Sequence, residues 1–151
     1  MMRICSYLDQ GSKRAIYNSF IVSNFNYCST VWMFTNRGNL NKLEKLNKRA
    51  LPMIYNNYTS DYDVLLRNSL TLNVYMKCLK SLGIEMYKVR SNLTPVYMKE
   101  LFLESNPVYD LRDSSRFVLP KYKTKTFGYR SLSYIGSKLW NDIDFVIKDS
   151  S

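Results

Sequence analysis

Between Ser114 and Asn141 the chain interleaves six basic side chains (Arg116, Lys121, Lys123, Lys125, Arg130, Lys138) with six aromatic ones (Phe117, Tyr122, Phe127, Tyr129, Tyr134, Trp140). The interval contains no carboxylate. Cations at this density neutralise phosphates and release condensed counterions, and each ring can stack on a base for about 1–3 kcal/mol. The chemistry that fits is contact with RNA or DNA. A folded β element whose rings are core would show the same residue types, so composition leaves both readings open.

Other chemistry is bounded by what the sequence lacks. There is no histidine among the 151 residues. Ser-His-Asp and Cys-His nucleophilic sites, zinc knuckles and histidine acid–base catalysis are therefore excluded from this chain. Two carboxylate pairs, Asp61 with Asp63 and Asp142 with Asp144, are the residues that could hold Mg²⁺ as polymerases and nucleases do. Asp61 falls at an expected helix start, where a carboxylate caps free amides, and Asp142 and Asp144 follow an expected helix near the C-terminus. Neither pair is a catalytic signal, and no catalytic residue, metal site or cofactor is assigned. Gly11, Gly38, Gly83, Gly128 and Gly136 are too far apart to build a phosphate loop, so nucleotide hydrolysis has no support. Cys5, Cys28 and Cys78 show no paired spacing and read as small hydrophobes in a reducing compartment.

The net charge of +10, from 22 basic and 12 acidic residues, favours polyanionic partners. The longest apolar stretch, Phe20 to Phe34, is interrupted by Ser23, Asn24, Asn26 and Ser29, and Met1 to Tyr7 lacks the apolar run of a secretory signal. The expectation is an intracellular protein, nuclear or cytoplasmic, with no membrane association and no small-molecule substrate.

Mainly helical elements are expected to position the basic segment. The spacing of Ala15, Ile16, Ser19, Phe20, Val22 and Ser23 predicts a helix over about 12–23. A second helix is expected from Asn39, with Asn39 as its cap and Leu40, Leu43, Leu46, Ala50 and Ile54 along one side; Lys42, Lys45, Lys48 and Arg49 cover much of the rest. Pro52 is expected to kink or end it. A short helix should start at Ser60 and Asp61, carrying Val64, Leu65 and Leu66. The clearest runs over about 72–89, with Leu72, Tyr75, Met76, Leu79, Leu82, Met86 and Val89 inward. Thr94 and Pro95 should cap and open a short helix bearing Val96, Met98, Leu101 and Phe102.

Beyond Pro107 the pattern changes to short β-branched and aromatic runs, Val108-Tyr109 and Phe117-Val118-Leu119. As an extended strand, residues 121–126 would put Lys121, Lys123 and Lys125 on one face and Tyr122, Thr124 and Thr126 on the other, with Gly128 supplying a turn. Ser131 to Asn141 reads as a closing helix with Leu132, Ile135, Leu139 and Trp140 inward.

Several segments, in order, resemble one family. Tyr17-Asn18-Ser19-Phe20-Ile21-Val22-Ser23-Asn24-Phe25-Asn26-Tyr27-Cys28 with Val31-Trp32 is similar to the region after the polymerase palm of non-LTR (LINE-like, jockey-type) retrotransposon reverse transcriptases. So, further along, are Leu43-Glu44-Lys45-Leu46-Asn47-Lys48-Arg49-Ala50-Leu51, Tyr58-Thr59-Ser60-Asp61-Tyr62, Leu93-Thr94-Pro95-Val96-Tyr97, Tyr109-Asp110-Leu111-Arg112, and Phe127-Gly128-Tyr129-Arg130-Ser131 through Gly136-Ser137-Lys138-Leu139-Trp140-Asn141. The resemblance covers about residues 4–144. It implies template and primer contact without catalysis, because the family's Tyr/Phe-x-Asp-Asp palm motif is missing here. A separately encoded palm is an implied partner. Pro52 stands where such elements carry a helix-compatible residue, and with a start at Met1 inside the family's region it suggests a retroelement fragment, marginally stable alone. The alternative is an inert relic or a protein-interaction module.

The expected fold is mainly α: a helical bundle-like array with a small β ribbon in the last third and a short C-terminal helix. Residues 1–106 would form a thumb-like helical region, packed as one unit with a basic, aromatic ribbon and terminal helix over 107–151. The expected nucleic-acid contacts are Lys121, Lys123, Lys125, Arg130 and Lys138 for phosphates and Tyr122, Phe127 and Tyr129 for stacking. Tyr134 and Trp140 are assigned to the core side of the closing helix.

Overall fold

Short polar side chains set several of the helix starts. Asp9 accepts hydrogen bonds from the backbone amides of Gly11 (2.9 Å) and Ser12 (3.3 Å), satisfying donors that a first turn leaves free. Asn36, Asp61 and Ser131 do the same through Gly38, Tyr62 and Tyr134. In the computed structural model, which describes residues 7–105, 116–143 and 148, the fold is mainly helical. Its α-helices are α1 (Gln10–Tyr17), α2 (Ser23–Asn26), α3 (Ser29–Trp32), α4 (Arg37–Tyr55), α5 (Tyr62–Asn68), α6 (Val74–Arg90), α7 (Val96–Lys99) and α8 (Leu132–Asp142). Among the described residues no helix is long and apolar enough to cross a membrane.

The chain divides into two compact units, one of residues up to 79 and one from 80 onward, with the division inside α6. In the first, a π-helical turn at Asn18–Val22 joins α1 to α2 without leaving helical backbone angles. A wider turn rotates the side chains that follow it. Tyr17 and Phe25 are buried while Phe20, expected on the apolar face, is 71% exposed. The core of this unit is Tyr17, Ala50, Leu51, Ile54 and Leu65, with Ile21, Val22, Tyr55, Tyr62 and Leu66 packed against it. Lys13 is buried and donates to Asn56 Oδ1 (2.7 Å), tying α1 to the end of α4.

The cap of α4 is Asn36, three residues ahead of the expected Asn39, whose amide nitrogen donates to Thr35 Oγ1 (3.2 Å). Pro52 does not end the helix. Leu51 and Ile54 on either side of it are 1% and 2% exposed. Burying two such side chains stabilises by about 3–6 kcal/mol, enough to outweigh the roughly 3 kcal/mol cost of an interior proline. The stop comes at Asn56, in the left-handed region (φ 51°), where the amides of Asn56 and Asn57 both donate to the Pro52 carbonyl.

The inward face of α6 also departs from the expected one. Val74, Cys78, Leu82, Met86 and Val89 are buried, whereas Leu72, Tyr75 and Met76 are 45%, 48% and 48% exposed. The period was legible but the phase of the first two turns was not, because Cys78 and Val74 compete with bulkier neighbours one residue away. Thr94 does not cap α7, which starts after Pro95, and among the described residues its hydroxyl has no hydrogen-bond partner.

In the second unit Phe117 packs against Phe102 (centroids 5.7 Å) and Trp140 (6.2 Å). Asn141 of α8 clamps the same segment, accepting from the Phe117 amide (3.0 Å) and donating to its carbonyl (2.8 Å). At Gly136 a Cβ would lie 2.8 Å from Met86 Sδ and 3.0 Å from the Phe102 ring, so the absence of a side chain lets these residues close on α8. The expected β ribbon is not formed among the described residues, where the one β feature is an isolated antiparallel bridge between Glu104 and Phe117. Val108 and Tyr109 lie outside the described residues.

Candidate nucleic-acid interface

The lysine run that alternates like a strand is instead an irregular segment feeding a π-helical turn at Lys125–Tyr129. Two observations account for the difference. The Thr124 carbonyl accepts from the amides of both Gly128 and Tyr129 (3.1 Å each), spending locally the groups a strand would offer a neighbour. Gly128 also seats directly on Tyr122, since a Cβ there would fall 2.4 Å from Tyr122 Cβ. Only glycine permits that approach, and it folds residue 122 back against residue 129. Ser131 fastens the exit, its hydroxyl donating to the Gly128 carbonyl (2.7 Å) before it caps α8.

The closure gathers three tyrosines. Tyr122 meets Tyr129 at 5.5 Å and Tyr134 at 4.9 Å, both edge-on, and Tyr129 meets Tyr134 at 5.2 Å. Such pairs contribute about 0.5–1.5 kcal/mol each beyond buried area, so the cluster makes the turn a stiff platform. Tyr134, assigned to the core from the sequence, is half-buried and serves as the support on which Tyr122 and Tyr129 rest. Its nearest sequence signal was its place one helical turn before Lys138, on the same side of α8.

The expected contact residues separate into distinct environments. Lys121, Lys123, Lys125, Arg130 and Lys138 are all exposed. Phe127, in the middle of the turn, has 85% of its surface open, while Tyr122 and Tyr129 retain 44% and 39%. Phe117 and Trp140, from the same acid-free interval, are 3% exposed and belong to the core. The rings of the interval are thus separated by the fold: Phe117 and Trp140 are core, and the middle is an exposed basic turn that carries Phe127. Charge at pH 7 is uniformly positive from residue 116 to residue 141.

The other titratable groups of interest form a partly buried chain in the first unit. Tyr17 O–H donates to Asn47 Oδ1 (2.6 Å), Asn47 Nδ2 donates to Tyr62 Oη (2.8 Å), and Tyr62 O–H donates to Glu44 Oε1. Glu44 Oε2 accepts from the Val74 amide (2.9 Å). Burial, then the nearby Glu44 carboxylate and Tyr55, pushes the Tyr17 hydroxyl up to about 12; burial and Glu44 push Tyr62 up as well. Burial lowers Lys77, whose ammonium lies 5.8 Å from the Tyr17 ring centre, against a partial offset from Glu44. Donors and acceptors in the chain are matched, and it links α1, α4, α5 and the start of α6 rather than opening to a substrate. Sequence reasoning had not singled out Asn47, the fully buried hub.

Asp61 spends its carboxylate on the α5 cap, and Asp144 lies outside the described residues. Among the described residues no three metal-ligating side chains converge. No protein-family model, curated protein or solved structure matches this chain.

Proposed function

We propose that the chain is a non-catalytic segment of a non-LTR retrotransposon reverse transcriptase that contacts template or primer nucleic acid through the turn at residues 121–130. The observation that carries the nucleic-acid part is Phe127, an almost fully exposed ring flanked in sequence by Lys121, Lys123, Lys125 and Arg130, in a stretch with no carboxylate. An exposed ring among cations is the arrangement that stacks a base while its neighbours meet the backbone phosphates. The ordered motifs from Tyr17 to Asn141 support the family, and the missing Tyr/Phe-x-Asp-Asp motif supports a binding role dependent on a palm supplied elsewhere. Nucleic acid, RNA or DNA, is the partner.

The test is a fluorescence titration of a labelled single-stranded oligonucleotide with the wild-type chain and with a Lys121→Glu, Lys123→Glu, Lys125→Glu triple variant. All three positions are exposed, so the helical content should be unchanged. The expected result is a loss of affinity of about 100-fold or more, from three phosphate contacts turned repulsive. Equal affinity for the two proteins would sink the proposal.

A further inference from the structure

An apolar groove opens on the first unit. Phe20, Ile21, Phe25 and Trp32 line one side and Leu43 and Leu46 of α4 the other, enclosing about 460 Å³. Asn24 is the one polar residue in the lining, and its side-chain amide already donates to the Phe20 carbonyl (2.6 Å). The π-helical turn is what rotates Phe20 to this surface, and Leu46 beside it is 52% exposed. Contiguous apolar surface of this kind marks a contact site.

Of the two segments that line the groove, only α4 carries charge. From Asn18 to Asn36 the chain has no Asp, Glu, Lys or Arg. On α4, Lys42 and Arg49 lie four residues before and three after Leu46, and so flank it on the helix surface. Both are exposed, and neither forms an ion pair among the described residues. Glu44, the single acid of α4, is turned away to Tyr62 and Val74. Within the first unit, the described residues thus offer an apolar floor beside a cationic α4 edge.

We propose that this groove binds an amphipathic helix of a protein partner, its apolar stripe between Phe20 and Leu46 and its acidic flank against Lys42 and Arg49. Apolar anchors at i, i+3, i+4 and i+7 match a groove of this kind, and carboxylates on one flank set the direction in which the helix lies. A polynucleotide is disfavoured because the floor offers a single polar group, already engaged. This site is independent of the turn at residues 121–130.

The experiment uses the full chain and a fluorescein-labelled synthetic helix of about four turns, with leucine at i, i+3, i+4 and i+7 and glutamate along one flank. Its anisotropy should rise saturably, while the same peptide with lysine in place of glutamate should bind at least about tenfold more weakly. Phe20→Glu should abolish binding, and Lys42→Glu with Arg49→Glu should reverse the preference so that the lysine peptide binds better, with circular dichroism unchanged in each. Equal binding of both peptides, or binding retained in Phe20→Glu, would overturn the proposal. So would displacement of the peptide by an oligonucleotide, or elution of the chain as a dimer that Phe20→Glu converts to a monomer.

Discussion

Asn47 shows how much one buried side chain can organise. With no exposed surface it accepts from Tyr17, donates to Tyr62, and thereby extends a hydrogen-bonded chain to the Glu44 carboxylate. Tyr17→Phe keeps the ring but leaves Asn47 Oδ1 buried without its donor, which should destabilise the first unit by about 1–3 kcal/mol in urea unfolding. The same substitution has a pH signature. An unfolded tyrosine releases its proton near pH 10, whereas folded Tyr17 holds it to about 12 and Tyr62 is also raised. Between those values the unfolded state binds fewer protons, so stability present below pH 10 is lost as pH rises toward 12. Lys77, lowered from 10.5, acts in the opposite sense, and that gain is complete once pH passes its unfolded value. Urea midpoints measured from pH 10.5 to 12 should therefore fall for wild type and fall less for Tyr17→Phe; parallel declines would contradict this role for Tyr17. None of this could be read from the sequence, because an asparagine among lysines on a helix looks like surface until the neighbouring helices are placed.

At the scale of elements, helices were legible where cap and period agreed and illegible where tertiary contact overrode a local rule. Asp61 and Ser131 start α5 and α8 as their positions implied. Pro52 argued for a kink or an end, but the breaker rule describes a helix without packing, and with Leu51 and Ile54 buried the helix continues to Tyr55. The lysine alternation at 121–125 argued for a strand; the deciding feature was the contact of Gly128 with Tyr122, which joins residues six apart and leaves no trace in a period. Gly128→Ala tests that contact. Its methyl would press on Tyr122 Cβ and force the turn apart, at a cost of about 1–3 kcal/mol. The variant should keep its helical circular dichroism while losing oligonucleotide affinity, because the turn that presents Phe127 and its neighbouring lysines would be reshaped. Unchanged affinity would mean that the turn's closed form does not matter for binding.

At the scale of the whole molecule, the predominance of helix was visible in the sequence, and the two halves of its surface chemistry were only partly so. The basic, acid-free interval announced itself by composition, yet composition could not separate Phe117 and Trp140, which are core, from Phe127, which is not. The groove beside α4 was invisible for the opposite reason: Phe20 and Leu46 look like core residues, and their exposure depends on a π-helical turn that no sequence rule marks. With a net charge of +10, some attraction to polyanions is expected of any such chain, so affinity at a single salt concentration proves little. The direct test of the central claim is the salt dependence of binding to a single-stranded oligonucleotide, compared between wild type and Phe127→Ala. Five phosphate contacts predict a log–log slope of up to about −3.5 for the wild type. Phe127→Ala should show the same slope at an affinity about five- to 100-fold lower, as the loss of one stacked base requires. A flat salt response, or a Phe127→Ala affinity equal to that of the wild type, would contradict the assignment of this turn as a nucleic-acid contact.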